Sequence, residues 1–400
     1  MNSVGIVGTG LAGIRAAEAL RSEGFEGRIM IVGDESTAPY DRPPLSKDVL
    51  LGKCDLKDIS LLDTGAREDL DAEWILGIRA VALDPISKVL TLDDGRALDF
   101  DGLVIASGAR ARRLSGMRDV AGVHTLRTIE DAHRLRDDLS QFRRVVVVGG
   151  GFIGAEVASS ARSLGNDVTI VESEKTPLLR QLGQVAAEAV SRLHVEHGVR
   201  LVTEVSVTAI LGEHRVSGVE LSDGRILAAD VVVVGVGAEP NVEWLRTSGI
   251  TCDSGVLTDE WCRTDVPYVV AAGDVASYRS RSGSLRIEHW TNARDMPLTA
   301  ARSLLAEMCG RDAMDGPPYD PLPYVWSDQY GRHLQMAGRP GHGDVLELVS
   351  GAFEERWLAV YRHNGEVTGV LGVDTPKEFG HLKRELRSSW ARRGTAISSM

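Results

Sequence analysis

Two stretches of this 400-residue sequence carry glycines at a spacing suited to phosphate. Gly8-Thr9-Gly10-Leu11-Ala12-Gly13 follows the apolar run Val4-Gly5-Ile6-Val7, and Gly149-Gly150-Gly151-Phe152-Ile153-Gly154 follows the apolar residues 144–148. A lone G-x-G-x-x-G occurs in many turns. Between a strand and a helix, however, each glycine has its own physical reason: one makes the tight turn, one lets the backbone approach a pyrophosphate, and one lets the helix pack closely on the strand. The helix start then offers N–H groups and a positive dipole end to the phosphates. Acids close the next apolar run in each case, Asp34-Glu35 in the first and Glu172 in the second, some ~20 residues on, where a carboxylate accepts ribose hydroxyls. The chemistry implied is the binding of two dinucleotides. A lysine, Lys47, arrives behind the rigid pair Pro43-Pro44, and an acid, Glu156, stands just inside the second helix.

These groups need a scaffold, and the pattern supplies one. Strands are expected over residues 4–7, 29–32, 144–148 and 167–171, with Ala-rich helices running to Leu20 and Ala161. Residues 144–148 are almost purely apolar, as a strand buried on both faces of a parallel sheet should be. Asp-Gly turns at Asp94-Gly95 and Asp223-Gly224 predict two hairpins. Each is followed by a buried-type strand with a glycine exit, residues 103–108 and 231–237. The two halves repeat one plan. Beyond Gly316-Pro317-Pro318 come strand-like runs over 345–349, 357–361 and 367–373 and a charged helix over 376–393, the texture of a smaller α+β domain. The fold class expected is therefore α/β, with two Rossmann-like dinucleotide-binding domains and a C-terminal α+β domain.

Composition narrows the partners. A formal charge of −12 counts against nucleic acid, whose phosphates want surplus Lys and Arg. No apolar run approaches the ~18 residues of a membrane span, and no basic leader precedes the first strand, so a cytoplasmic location is expected. Cys54, Cys252, Cys262 and Cys309 lie far apart, without a C-x-x-C or a zinc-like spacing, so no metal is expected.

Further motifs make the pattern specific. Arg42-Pro43-Pro44-Leu45-Ser46-Lys47, Gly149-Gly150-Gly151-Phe152-Ile153-Gly154-Ala155-Glu156, the apolar run ending in Gly273-Asp274, Arg286-Ile287-Glu288-His289-Trp290 and Tyr324-Val325-Trp326-Ser327-Asp328-Gln329-Tyr330 together resemble the pyridine nucleotide-disulfide oxidoreductase superfamily. Within it they look like the FAD-dependent, NADH-using ferredoxin reductases of bacterial oxygenase systems, over essentially the whole chain. The resemblance implies a discontinuous FAD-binding domain over 1–111 and 239–316, an inserted NAD-binding domain over 112–238 and a C-terminal domain over 317–400. It carries FAD onto Gly8, Gly10, Leu11, Ala12 and Gly13, with the adenosine ribose on Asp34 or Glu35. It adds Arg42, Lys47, Ala80, Ala106, Arg127, Gly273, Asp274 and Trp290 around the same cofactor. NADH falls to Gly149, Gly151, Ile153, Gly154, Glu156, Glu172 and Gly237. The family's usual Ala-Thr-Gly reads Ala106-Ser107-Gly108 here, and its following Arg-Pro is replaced by Arg110-Ala111-Arg112-Arg113.

The function implied is transfer of electrons from NADH through FAD to a 2Fe-2S ferredoxin that supplies a cytochrome P-450-type monooxygenase or a Rieske-type dioxygenase. Lys47 and Glu156 are expected to pair beside the flavin and carry the catalytic role. Disulfide reductases of the superfamily need a cysteine pair by the flavin, and residues 39–47 contain none. An acidic ferredoxin would dock on a basic patch, with Arg384 and Arg387 of the terminal helix, flanked by Lys377, Lys383, Arg392 and Arg393, or Arg279, Arg281 and Arg286 as candidates. A charged helix also serves simply as a solvated face. Trp290 and Trp326 are expected near the flavin, although buried tryptophan often belongs to a core. Alternatives are an NADH-dependent rubredoxin reductase and a nucleotide-sensing signalling protein of the apoptosis-inducing-factor type; monomer and dimer both stay open.

Overall fold

The computed structural model describes residues 2–117, 120–280, 283–312 and 316–395. The chain forms two compact units, one from Met1–Asp41, Leu56–Arg110 and Ala238–Pro321, the other from Arg42–Asp55, Ala111–Gly237 and Leu322–Met400.

In the first unit, five parallel strands lie in the order Val269–Ala271, Gly102–Ile105, Ser3–Val7, Arg28–Gly33, Ala72–Leu76. Val4, Ile6, Ile29, Ile31, Leu103, Val104 and Val270 are fully buried, which explains their near-continuous apolar sequence. Helix Leu11–Ser22 makes the crossover between the first two strands in sequence and packs on helix Trp290–Met308. The Asp94-Gly95 hairpin forms as expected, Val89–Leu92 pairing with Ala97–Asp99.

The second unit repeats the plan. Its parallel sheet runs Arg200–Val202, Asp167–Val171, Arg144–Val148, Val231–Val234, Val123–His124, with helix Phe152–Ser163 as first crossover. A five-stranded antiparallel sheet completes it, in the order Tyr324–Gln329, Arg332–Gly338, Glu366–Val373, Trp357–His363, Val345–Gly351. Alternation along one strand divides two cores. Trp357, Ala359 and Tyr361 pack with Leu178, Leu182, Ala186 and Val190 of the loop and helix ending at Glu196, whereas Leu358 and Val360 pack with Phe379 and Leu386 of helix Pro376–Thr395. Helix Leu179–Glu196 is kinked at Gly183, and the buried Tyr361 hydroxyl donates to the Leu182 carbonyl at that kink, 2.8 Å away.

The sequence pattern missed the hairpin Tyr324–Gln329/Arg332–Gly338. Its inward residues include Ser327 and Gln329, both buried, so the apolar alternation that marks a half-buried strand is absent. The strand expected over 345–349 forms as an exposed edge strand, Val345–Gly351.

The hairpin turns at Tyr330-Gly331, both at positive φ (54° and 76°). Its tip is pinned to neighbouring helices. The Tyr330 amide donates to Ser159 Oγ at 2.7 Å, its hydroxyl bonds His194 Nδ1 at 2.7 Å, and its ring stacks on His197. Burial, with His197 adding a smaller repulsion, brings the His194 imidazole down to about 4. An unfolded histidine titrates near ~6.5, so the unfolded chain binds a proton first on acidification. The contribution of neutral His194 is complete above that value and is lost as pH falls from about 6.5 to about 4, to the extent of roughly 3 kcal/mol. His194→Leu should lower stability at neutral pH, because the Tyr330 hydroxyl loses its partner, yet flatten the acid dependence. Urea midpoints between pH 4 and 7 test this; a slope equal to that of the parent protein contradicts it.

Candidate dinucleotide sites and the buried ion pair

Each glycine turn is shaped by contacts that a side chain would block. A Cβ on Gly8 (φ 126°) would lie 2.0 Å from the Ala106 carbonyl oxygen, and one on Gly13 would lie 1.9 Å from the Gly8 oxygen. A Cβ on Gly10 meets nothing within 4 Å. The second unit reproduces this: Gly149 (φ 96°) would meet the Gly235 oxygen at 2.5 Å, Gly154 the Gly149 oxygen at 2.1 Å, and Gly151 nothing within 4 Å. Gly10 and Gly151 are the N-caps of their helices, neither with a side-chain cap, and neither first turn holds an acid. Two helix starts therefore face open space through backbone N–H groups alone, a cradle that fits the pyrophosphate of a dinucleotide.

Around the first turn, Gly273 (φ 78°) approaches Ala12 so closely that a Cβ would lie 2.7 Å from the alanine methyl, and Ala106 and Ala80 are buried. Glu35 accepts a bond from the Tyr40 hydroxyl, while Asp34 is exposed, 3.9 Å from Arg79. Asp274 sits in the short 3-10 turn Gly273–Val275. Trp290 opens helix Trp290–Met308, its indole N–H donating to Asp41 at 2.7 Å and the Arg294 guanidinium lying over its ring. His289 occupies the position before that helix without a side-chain bond to its first turn, and burial draws its imidazole below the ordinary range.

Around the second turn, Glu172 ties the strand end to the glycine loop. Its Oε2 accepts from the Gly150 amide at 2.7 Å, and its Oε1 from the Glu174 amide at 2.9 Å and the Ser173 hydroxyl at 3.1 Å. Arg180 is paired with Glu174. Ile153, half exposed, stands in the first turn of the helix, and Gly237 (φ 105°) has open space beside it.

Lys47 and Glu156 do meet: Lys47 Nζ lies 3.1 Å from Glu156 Oε1. Glu156 is buried and also accepts from the hydroxyls of Ser46 (2.5 Å) and Ser327 (2.7 Å). Burial pushes its carboxyl above the usual range, opposed by the Lys47 charge and the two hydroxyls. Sequence reasoning did not single out Ser46, Ser327 or Asp328, the last 3.5 Å from Lys47. All three stand inside recognisable motifs, but their convergence is tertiary. Arg42 donates to the Arg127 carbonyl at 2.5 Å, and Arg42, Lys47 and Arg127 all belong to the second unit, apart from the glycine turn at Gly8. Trp326 stacks on Tyr324, over whose ring Lys383 lies at 3.4 Å.

Of the basic candidates, Arg384 and Arg387 are exposed on helix Pro376–Thr395. Arg286 is paired with Glu288, and Arg279 is exposed in the first unit. Arg281 and the side chains of Arg392 and Arg393 lie outside the described residues. No helix among the described residues is long and apolar enough to cross a membrane.

Comparison with known proteins agrees with this architecture. Residues 2–296 match the family described as pyridine nucleotide-disulphide oxidoreductase, and residues 324–393 match the reductase C-terminal family. The chain is 37% identical over 391 residues to the ferredoxin–NAD(+) reductase component of the p-cumate 2,3-dioxygenase system of Pseudomonas putida, covering 96% of this chain and 93% of that one. It is 39% identical over 388 residues to the corresponding component of the biphenyl dioxygenase system of Paraburkholderia xenovorans (strain LB400), with the same coverage. Among solved structures, it resembles the covalent putidaredoxin reductase–putidaredoxin complex, with a TM-score of 0.88, 34% identity, and 96% and 93% of the two chains covered. The chain thus belongs to the pyridine nucleotide-disulphide oxidoreductase family, whose members are oxidoreductases using a flavin and a pyridine nucleotide.

Proposed function

We propose that this protein is an FAD-containing NADH:ferredoxin reductase that feeds a 2Fe-2S ferredoxin of a Rieske-type dioxygenase or cytochrome P-450-type monooxygenase. The observation that carries the reading is the pair of equivalent uncapped helix starts, one on each parallel sheet, since a single dinucleotide would need only one. The names of the relatives favour ferredoxin as acceptor. The lack of any cysteine in residues 39–47 counts against an internal dithiol acceptor.

In this reading the cradle at Gly8, Gly10, Leu11, Ala12 and Gly13 holds FAD, with Glu35 or Asp34 at the adenosine ribose and Ala80, Ala106, Gly273, Asp274 and Trp290 around the same cofactor. Arg42, Lys47 and Arg127 are assigned to the same cofactor. The cradle at Gly149, Gly151, Ile153 and Gly154, with Gly237, holds NADH. A bound flavin supplies the capacity to take two electrons as hydride and to release them singly. What is left to the chain itself is to bind, to orient, to exclude water and to place charge. Lys47 supplies a cation held by Glu156.

Glu172 favours NADH over NADPH. Its carboxylate accepts three bonds of the roughly four it has room for, leaving one for a ribose hydroxyl, and it repels a 2′-phosphate. The nearby Arg180, which would welcome that phosphate, is neutralised by Glu174.

Anaerobic stopped-flow mixing should show the oxidised flavin bleached by NADH at least about tenfold faster than by NADPH, an advantage near 1.4 kcal/mol, and the reduced protein discharged by a 2Fe-2S ferredoxin. A reduced state that ferredoxin leaves untouched removes the proposal. Glu172→Arg should erase or invert the preference between the two nucleotides; an unchanged ratio means that Glu172 does not read the ribose. Charge reversal at Arg384 and Arg387 together should slow ferredoxin reduction several-fold at low salt and flatten its salt dependence, while bleaching by NADH stays at the parental rate. An unaltered salt dependence places the dock elsewhere.

A further inference from the structure

Lys47 stands between two carboxylates. Glu156 Oε1 is 3.1 Å from its Nζ and Asp328 Oδ2 is 3.5 Å away. The three side chains form a gradient of exposure: 4% for Glu156, 17% for Lys47 and 44% for Asp328. On the outer side, His333 Nδ1 lies 2.6 Å from Asp328 Oδ1, its cross-strand partner in the hairpin. The His333 amide in turn donates to Asp374, which also holds Arg332. On the inner side, Glu156 is met by Ser46 from the chain just before Lys47 and by Ser327 from the hairpin, and the Gln329 amide donates to Ser327 Oγ. Ser159 and Ser160, on the same helix as Glu156, are taken up by the Tyr330 amide and the Ser46 carbonyl.

One ammonium facing two ionised acids leaves a surplus negative charge, and the surplus costs least where water reaches it. We propose that Asp328 is the standing counter-ion of Lys47, so that Glu156 is the member of the trio that binds and releases a proton. The hydroxyls beside Glu156 suit both states: Ser46 and Ser327 donate to the carboxylate, and a serine hydroxyl can turn to accept when the acid is protonated. No heavy atom has to move. The proton comes from bulk water, the bond formed is O–H on a Glu156 oxygen, the conjugate base stays in the solvent, and no electron changes place. This inference rests on the reading that Lys47 acts beside the flavin. There it gives the site a means of balancing the negative charge that arrives with a hydride while Lys47 keeps its partner. Asp328 is thus a positioning residue, acting through Lys47.

The test is an infrared pH titration of the oxidised protein as purified, following the carboxylic-acid carbonyl band that Glu156→Gln abolishes. It uses neither nucleotide nor reductant, so failure of the reductase reading would show in the stopped-flow experiment and not here. Asp328→Asn commits Lys47 to Glu156 and should weaken proton binding at Glu156 by about tenfold, moving the midpoint down by about one pH unit. Asp328→Glu, which keeps the charge, should hold the parental midpoint. Asp328→Ser, which also removes the charge, should give the same downward shift and decides the matter if Asp328→Asn does not fold. A midpoint unmoved by Asp328→Asn, or by Asp328→Ser in its stead, overturns the proposal. So does a parent protein without a Glu156 band at any pH at which it stays folded.

Discussion

A carboxylate sealed from water has to be met by donors and a cation, and Glu156 gathers them from two stretches far from it in sequence. Ser46 and Lys47 come from the proline-led segment, Ser159 and Ser160 extend the same polar seam along the helix, and Ser327 and Asp328 come from the last quarter of the chain. The hairpin's register is thereby fixed from its tip. A slip of one residue would turn Ser327 away from Glu156 and present an apolar or acidic side chain instead. The polar character of that strand is a requirement of the seam it closes.

The two glycine turns show the same solution reached twice with different residues. In each, one glycine lets the turn pass under the exit of a later strand, at Ala106 or Gly235, and another lets the helix sit on the turn. The surroundings differ. Glu172 is built into its loop by three hydrogen bonds, whereas Glu35 is engaged by a tyrosine and Asp34 lies in solvent. The second acid is thus fixed directly to the glycine turn beside it, through the Gly150 amide.

Much of this was legible in sequence because it is local. A parallel strand buried on both faces must be continuously apolar, a turn under a carbonyl must be glycine, and a tight hairpin favours Asp-Gly; residues 144–148, Gly8 and Asp94-Gly95 each carry that signature. Glu156 and Lys47 could be matched through their motifs. Their hydroxyl partners and Asp328 could not, because nothing local distinguishes a serine that meets a buried acid from one that meets water. The paired strands at Tyr324 and Arg332 escaped for the same reason, and the kink at Gly183 was hidden within a run that reads as continuous helix.

The core shared by helix Leu179–Glu196 and the last sheet bears on the order in which the protein is made. Leu182, Ala186 and Val190 find Trp357 and Leu371 as neighbours only once those residues exist. On a ribosome adding residues at ordinary speed, the apolar face of that helix waits some ~10 to 30 s for its cover. The glycine turns and their sheets can settle in that interval, but the helix beside them stays a sticky surface until the final strands emerge. A chain cut short before the last sheet would therefore be a target for chaperones and proteases, however complete its glycine turns.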